Sequence, residues 1–367
     1  MPNDPNAIVF HGAGKPLEEK NFEMPAIIND DEAIVEISIS TVCSSDVHTW
    51  LGHRPFPTPS ILGHEMVGKI TQLGKKLTHD YLGNSIAVGD RITWSMTANC
   101  GTCYFCKDAK LPQKCINLFK YGHVRSDESP HFTGGYAKFI KIVSGSSIFK
   151  ISDDISDEEI VPLMCAGATI TSGLGAVNFT KCDYVVVQGC GALGLYACVF
   201  SKEMGAKNVI AIDIDHGRLD LSKEFGADFT FNSSLEKDIG SQIKSITGDR
   251  GADYVIEVTG TPKVISDGIK FLRVGGTYIL LGAIYPDSNL TIDSSDIITK
   301  CLNISGMHNY DPIYLQQAIE LVQKYKNKYP FRKIVEPTFD FTKQGLEDAF
   351  NSLNSKKSLR PSIRPSH

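Results

Sequence analysis

Four cysteines, Cys100, Cys103, Cys106 and Cys115, fall within sixteen residues of this chain. Thiolates at such short spacing can surround one tetrahedral ion without long-range folding, which suits Zn2+. All four positions are protein ligands, so nothing is left open for water and the role expected is structural. A four-iron cluster usually has its last cysteine in a tighter run followed by Pro, and neither holds here. A second group is dispersed. Cys43-Ser-Ser45-Asp46-Val-His48 precedes Gly63-His64-Glu65, and Cys165 lies in LMCAGATIT. Taken singly, Cys43 and Cys165 read as small buried residues and His64 as a core histidine. Taken together, two thiolates and one imidazole leave a fourth zinc position open, the layout of a catalytic zinc site.

A third motif gives that grouping its weight. DYVVVQGCGALGLY spaces Gly189, Gly191 and Gly194 as GxGxxG, directly after an apolar strand and at the start of a helix. The first glycine makes the tight turn, the second lets backbone approach a pyrophosphate, and the third allows close helix–strand packing. Free N–H groups at the helix start would then hold the phosphates. The next strand, NVIAID, ends at Asp213, 22 residues after Gly191. An acid there accepts hydrogen bonds from the adenosine ribose and repels a 2′-phosphate, so NAD is expected over NADP. Arg218 could contact the adenosine half or could be a solvated helix charge. Cys190 lies inside the glycine loop, where oxidation or alkylation would block the pyrophosphate site. Cys182, Cys198 and Cys301 read as packing residues.

The elements that must position these groups change character along the chain. From Ala33 to about Lys150, short alternating runs (AIVEISIS, HEMVGKITQL, SIAVGDRITW, GGYAKFIKI) are divided by turn residues, the pattern of half-buried β-strands. After about Val161, continuous apolar strands alternate with helical stretches, which indicates βαβ units and a parallel sheet covered on both faces. Beyond Gly306 a helical PIYLQQAIELVQKYK leads into mixed sequence ending in SLRPSIRP.

Length and composition fit that division. At about 150 residues per domain, 367 residues allow two domains. Lys and Arg total 37 against 42 Asp and Glu, a net charge of −5, so no basic excess favours a nucleic-acid partner. Ten cysteines are too few for a disulfide scaffold, and clustered ones more often bind metal. The N-terminus lacks a basic segment followed by an apolar stretch, and the uncharged run from Tyr184 to Ser201 is broken by Gln188 and three glycines. A soluble, cytoplasmic protein with no membrane partner is therefore expected.

These residues, in this order, resemble the zinc-dependent medium-chain alcohol dehydrogenase family, over about Ala33 to Arg360. The resemblance implies an α/β protein, with a GroES-like β-rich catalytic domain and an inserted Rossmann doubly wound parallel-sheet domain. The catalytic domain would occupy residues 1–166, with a zinc lobe at about 95–120, and the Rossmann domain 167–306. Residues 307–367 would return to the catalytic domain. The likeness makes Cys43, His64 and Cys165 catalytic zinc ligands, Glu65 the acid behind the metal, and Asp46 the partner that orients His64. Ser45 and His48 resemble the proton relay. KSLR resembles the pyrophosphate-binding segment, which gives that role to Arg360; the alternative is a solvated tail charge. One departure is visible: the lobe has eight residues before Cys115 where seven are usual. The resemblance thus implies hydride transfer between NAD and an alcohol, two Zn2+ per chain, a small-molecule partner, and a homodimer or homotetramer.

A narrower likeness bears on the substrate. LPQKCINLFKYGH resembles alcohol dehydrogenases associated with phosphonate catabolism, which implies an anionic, hydroxylated substrate. The position eleven after the first zinc cysteine lines the family's alcohol pocket and is often apolar, but here it is Arg54. With His53, Lys120 or His123 it could hold a phosphonate or carboxylate through charge-assisted hydrogen bonds; otherwise it faces solvent. Neutral primary or secondary alcohols and polyols are the alternative substrates. A non-catalytic zinc- and NAD-binding regulator would not need Ser45 and His48, and a zinc-free reductase would lack Cys43, His64 and Cys165.

Overall fold

The computed structural model describes residues 5–27, 29–282 and 288–365. Two compact units emerge: Met1–Cys165 with Asp311–Lys326 and Phe331–His367, and Ala166–Tyr310 with Asn327–Pro330.

The first unit is built on a sheet of short strands around Ala33–Thr41. Met66–Leu73 pairs antiparallel with one edge of that strand; Phe139–Ile142 and Ser362–Ile363 share the other edge. The strand Ser362–Ile363 pairs with Thr41 and Ser40, so this late segment lies in the same sheet. AIVEISIS reads as alternating, yet only Glu36 and Ser38 of the strand are part-exposed. The strand sits mid-sheet, and Asp157–Ile160 and the 3-10 turn Val161–Met164 pack against it, so its second face is covered too. In SIAVGDRITW only Arg91–Trp94 forms a strand. The Asp90 carboxylate accepts the Ala87 N–H at 2.8 Å and Gly89 takes a φ of +95°, which makes SIAVGD a turn.

The second unit holds a six-stranded, wholly parallel sheet. Its order is Phe229–Asn232, Ala206–Asp213, Cys182–Gln188, Ala252–Glu257, Leu272–Leu280, Asn303–Gly306. Sequential strands therefore run outward from Cys182–Gln188 on one side and then from Ala252–Glu257 on the other. This is the doubly wound arrangement whose order reverses beside the first strand, where nucleotides bind at the strands' carboxyl ends. Strands such as Val185, Val186 and Val187 are fully buried because helices cover both faces. The unit runs on to Tyr310 rather than stopping at 306, because Met307 N–H still bonds Leu280 O; Asp311 then caps the helix Pro312–Tyr325. It also takes back Asn327–Pro330, where Lys328 and Tyr329 both bond the Glu203 carboxylate.

Residues 184–201 form the strand Cys182–Gln188 and most of the helix Ala192–Glu203, both largely buried. Among the described residues, no single helix is long and apolar enough to cross a membrane.

Candidate active site

The short helix Ser44–Trp50 follows Cys43 and carries Ser45, Asp46, His48 and Thr49. Cys43 is its N-cap, in extended backbone, and Asp46 in the first turn accepts the Cys43 N–H at 3.0 Å. The local reason for an acid three residues after Cys43 is thus a helix cap. Its carboxylate does more than cap: Asp46 Oδ1 faces His64 Nδ1 at 3.2 Å, and Tyr136 Oη donates to Oδ2 at 3.2 Å. Held this way at Nδ1, His64 presents Nε2 to the site, 3.5 Å from Ser45 Oγ. Gly63 before it has a φ of +90°, and a Cβ there would come within 3.0 Å of the Tyr136 ring, so only glycine lets His64 reach inward.

One ligand atom each from Cys43, His64, Glu65 and Cys165 lies within 4.8 Å of the other three. Zinc bonds of 2.0–2.3 Å would place tetrahedral ligands about 3.3–3.8 Å apart, so the donors fit that ion. Glu65 is the member already engaged: Thr41 Oγ1 donates to Oε2, and Arg360 Nε donates to Oε1 at 3.2 Å. Cys43, His64 and Cys165 are therefore the three whose donor atoms are left to hold an ion, with the carboxylate braced beside them.

Electrostatics agree with that division. A hydrogen bond from Cys165 brings the Cys43 thiol well below its ordinary value despite burial; Arg360 and His64 pull the same way. Cys165 is pushed well up, first by that shared hydrogen bond and then by burial. Burial works against charge on His64, but Asp46 and Cys43 outweigh it and raise its value to about 10. Burial raises Glu65 to about 7, with Arg360 opposing.

Arg54 folds back over this helix. Its Nε donates to Thr49 Oγ1 at 2.8 Å, and Nη2 lies 3.2 Å from Ser45 O and 3.4 Å from His123 Nε2. It is part-buried, and among the described residues no carboxylate lies within ion-pair reach of it. His123 in turn sets its ring edge-on to His64, centroids 5.4 Å apart. Burial, then Lys120 and His64, hold His123 well below the ordinary histidine range, so it is neutral here. Burial also lowers Lys120, whose charge is felt by both Cys165 and Cys43. Arg54 is thus separated from His64 by one neutral ring, while its part-exposed side chain also lines the cavity beside His53.

The four-cysteine lobe is equally explicit. Sγ atoms of Cys103 and Cys106 are 3.5 Å apart, those of Cys100 and Cys115 3.4 Å, and those of Cys103 and Cys115 3.9 Å. Tetrahedral zinc thiolates would be about 3.8 Å apart. All four are free of disulfides. Backbone N–H groups of Cys100 and Asn117 both point at Cys115 Sγ at 3.3 Å, so the extra residue before Cys115 does not displace it from the cluster. Hydrogen bonds from Thr102 and Cys103 bring Cys100 down to about 5, whereas burial and neighbouring thiols push Cys106 up to about 12.

In the second unit, Gly189 turns with a φ of +101° and Gly191 caps the helix Ala192–Glu203. A Cβ on Gly194 would fall 1.8 Å from Gly189 O, so the third glycine is a steric necessity. Asp213 closes the strand Ala206–Asp213, and its Oδ2 accepts the Cys190 N–H at 2.6 Å. Its Oδ1 accepts from Ile214 and Asp215 N–H at 2.7 and 3.0 Å. The carboxylate is thereby fixed at the glycine loop with one lone-pair site, on Oδ2, left over. Arg218 is part-buried, and its charge acts on Cys190 in that loop.

Residues 29–153 match the alcohol dehydrogenase GroES-like domain, and residues 192–324 the zinc-binding dehydrogenase domain. The chain is 30% identical over 314 residues to the 5-exo-hydroxycamphor dehydrogenase of Pseudomonas putida, covering 84% of this chain and 85% of that one. The chain belongs to the zinc-dependent medium-chain alcohol dehydrogenase family. A sorbitol dehydrogenase of Halalkalibacterium halodurans is 27% identical over 361 residues, 97% of each chain. An alcohol dehydrogenase from Thermotoga maritima superposes with a TM-score of 0.93 at 29% identity, over 99% of both chains.

For this alcohol dehydrogenase, several sequence expectations need correction. Of the two sequence readings of Arg360, the solvated tail charge is the one excluded: the side chain is 2% exposed, paired with Glu65, and its Nη2 is buried without a hydrogen-bond partner. Cys190 is fully buried and burial raises its thiol well above the ordinary value, so it is a poor target for oxidation or alkylation. Cys301 is exposed rather than packed, at a φ of +51° just after the helix Ser294–Thr299. Sequence reasoning missed Thr41 and Tyr136, whose hydroxyls engage Glu65 and Asp46; a tyrosine in the apolar run GGYAKF, needing a buried partner for its hydroxyl, is the one available sign.

Proposed function

We propose that this protein is an NAD-linked zinc alcohol dehydrogenase with one catalytic and one structural Zn2+ per chain. The observation that carries the reading is the convergence of Cys43, His64 and Cys165 on one point with His64 Nδ1 braced by Asp46. Zinc held there would polarise the substrate oxygen and lower the hydroxyl pKa toward neutrality, while NAD would accept the hydride. The chain's own residues do the rest. Ser45 Oγ, beside His64 Nε2, receives the hydroxyl proton. His48 stands one helical turn further along and passes the proton outward. Arg360 offsets the negative charge of the thiolates and Glu65. Asp213, braced by three backbone N–H groups, supports NAD over NADP. Gly189, Gly191 and Gly194 shape the phosphate turn and Arg218 flanks it; in the first unit, Arg360 keeps an unpartnered Nη2 for an anion.

For the substrate we favour a hydroxylated anion, a carboxylate or phosphonate, held by Arg54. Support comes from a guanidinium with no carboxylate partner among the described residues, its Nη1 unbonded, next to a neutral His123 and near Lys120. The second reading is a neutral alcohol or polyol. It is favoured by relatives named for hydroxycamphor and sorbitol, and by the bonds already occupying Arg54 Nε and Nη2.

The test is NADH formation by zinc-loaded protein with neutral alcohols, hydroxy acids and hydroxyalkyl phosphonates of matched carbon skeleton. Cys43→Ala should abolish turnover. Preference for the anions, lost in Arg54→Leu, supports the first reading; neutral preference unchanged by Arg54→Leu replaces it with the second. We further propose a homodimer or homotetramer, as the family resemblance implies, and sedimentation of the same protein tests it.

A further inference from the structure

Resting on that reading of the site, we infer that His53 completes its proton path, acting through His48 as a positioning residue and as the proton's exit to solvent. The pairing is built by the chain's local geometry. After Trp50 the backbone closes through Leu51 and Gly52, whose φ is +78°, so that His53 N–H donates to His48 O at 2.9 Å. A Cβ on Gly52 would lie 2.7 Å from Ala13 Cβ, so the turn depends on glycine. It brings the two imidazoles to 5.2 Å between centroids and their Nδ1 atoms to 2.9 Å.

Two ring nitrogens at that distance share a single hydrogen: one donates and the other accepts. Both rings cannot be imidazolium across such a bond, so a proton gained by one ring is readily handed to the other. The pair also has a direction. His48 is part-buried on its helix, whereas His53 is exposed and lines a cavity of about 450 Å³ beside Phe10, Ala13, Thr49, Arg54 and Phe56.

The charged and titratable groups around His48 reinforce that direction. Burial, His53 and Arg54 all lower its hold on a proton, and only Cys43 raises it. A proton accepted at His48 Nε2 leaves the Nδ1 hydrogen free to cross to His53 Nδ1. His53 then sheds the hydrogen on its own Nε2 to water. Each ring gains one proton and loses one, and no further reactant is needed.

The experiment compares wild type, His53→Ala and His53→Gln as zinc-loaded full chains. With alcohol and NAD, both variants should lower kcat at and below neutral pH, by roughly tenfold, less than the loss of a primary acid–base group. KM should hold steady, the rise of kcat with pH should move, and added imidazole should restore His53→Ala. Unchanged pH profiles without imidazole rescue would overturn the proposal, as would equal losses at every pH. A second readout needs no turnover: 15N NMR of the imidazoles in zinc-loaded protein. The midpoint of His48 should move in His53→Ala, because the ring that shares its Nδ1 hydrogen is gone. An unmoved midpoint overturns the pairing even if the wild type turns over no alcohol, an outcome that would sink the dehydrogenase reading separately.

Discussion

Arg360 and Glu65 meet behind the Cys43–His64–Cys165 cluster, Nε to Oε1 at 3.2 Å, with 2% and 0% of their surfaces exposed. The two residues are separated by almost the length of the chain, and the pairing brings one cation to a pocket of thiolates and a carboxylate. Removing one partner of a buried ion pair strands the other, which typically costs about 3–5 kcal/mol. Arg360→Met should therefore destabilise the protein by that order in urea unfolding at pH 8, where Glu65 is ionised. Arg360→Met with Glu65→Met should recover most of the loss. An additive double variant would show that the two side chains do not act as a pair.

Zinc binding at the three-ligand site should release protons. In the metal-free site His64 sits near 10 because Asp46 and Cys43 overcome the effect of burial, and Cys165 is held up by its bond to Cys43. Cys43 is already depressed. At pH 8, then, about two protons must leave, from His64 and Cys165, for the metal to bind. Fewer protons compete as pH rises, so apparent zinc affinity climbs with a slope equal to the protons released; above about pH 10 the His64 share of that slope is lost, while the Cys165 share persists. Calorimetry in buffers of different ionisation enthalpy, on protein whose four-cysteine lobe is loaded, would measure it. Release of no protons at pH 8 would contradict the assigned charge states.

The four-cysteine lobe should behave independently of turnover chemistry. Cys106→Ser should reduce bound zinc from two ions to one per chain and open the segment from Cys100 to Cys115 to limited proteolysis. A fall in Tm of more than about 5 °C is expected. The remaining zinc should still depend on Cys43. Retention of both ions in Cys106→Ser would exclude the lobe as a metal site.

At the glycine loop, Gly194→Ala places a Cβ 1.8 Å from Gly189 O, a contact backbone must move to relieve. NAD affinity should drop at least tenfold, about 1.4 kcal/mol, with zinc content unchanged. Asp213→Ala should narrow the gap between NAD and NADP affinities by removing the charge that repels a 2′-phosphate. Fluorescence titration with NADH and NADPH reads both effects.

Local sequence determined the pieces of this protein that depend on short spacing. The four cysteines within sixteen residues, the GxGxxG turn with its steric demand at Gly194, and the acid at the end of the next strand are set by backbone geometry over a few residues. The same holds for the strand–helix alternation of the second unit. Tertiary structure decided the rest, because packing across distant segments sets which polar groups are desolvated together. It brought Cys43, His64 and Cys165 to one point, placed Thr41 and Arg360 on Glu65, and used Tyr136 to hold Asp46. It also separated residues of like type: Cys190 was buried and made inert, while Cys301 was left exposed. Arg54 shows the same division. Its sequence position allowed either solvent or the substrate pocket, and only the fold set it against Ser45, Thr49 and His123.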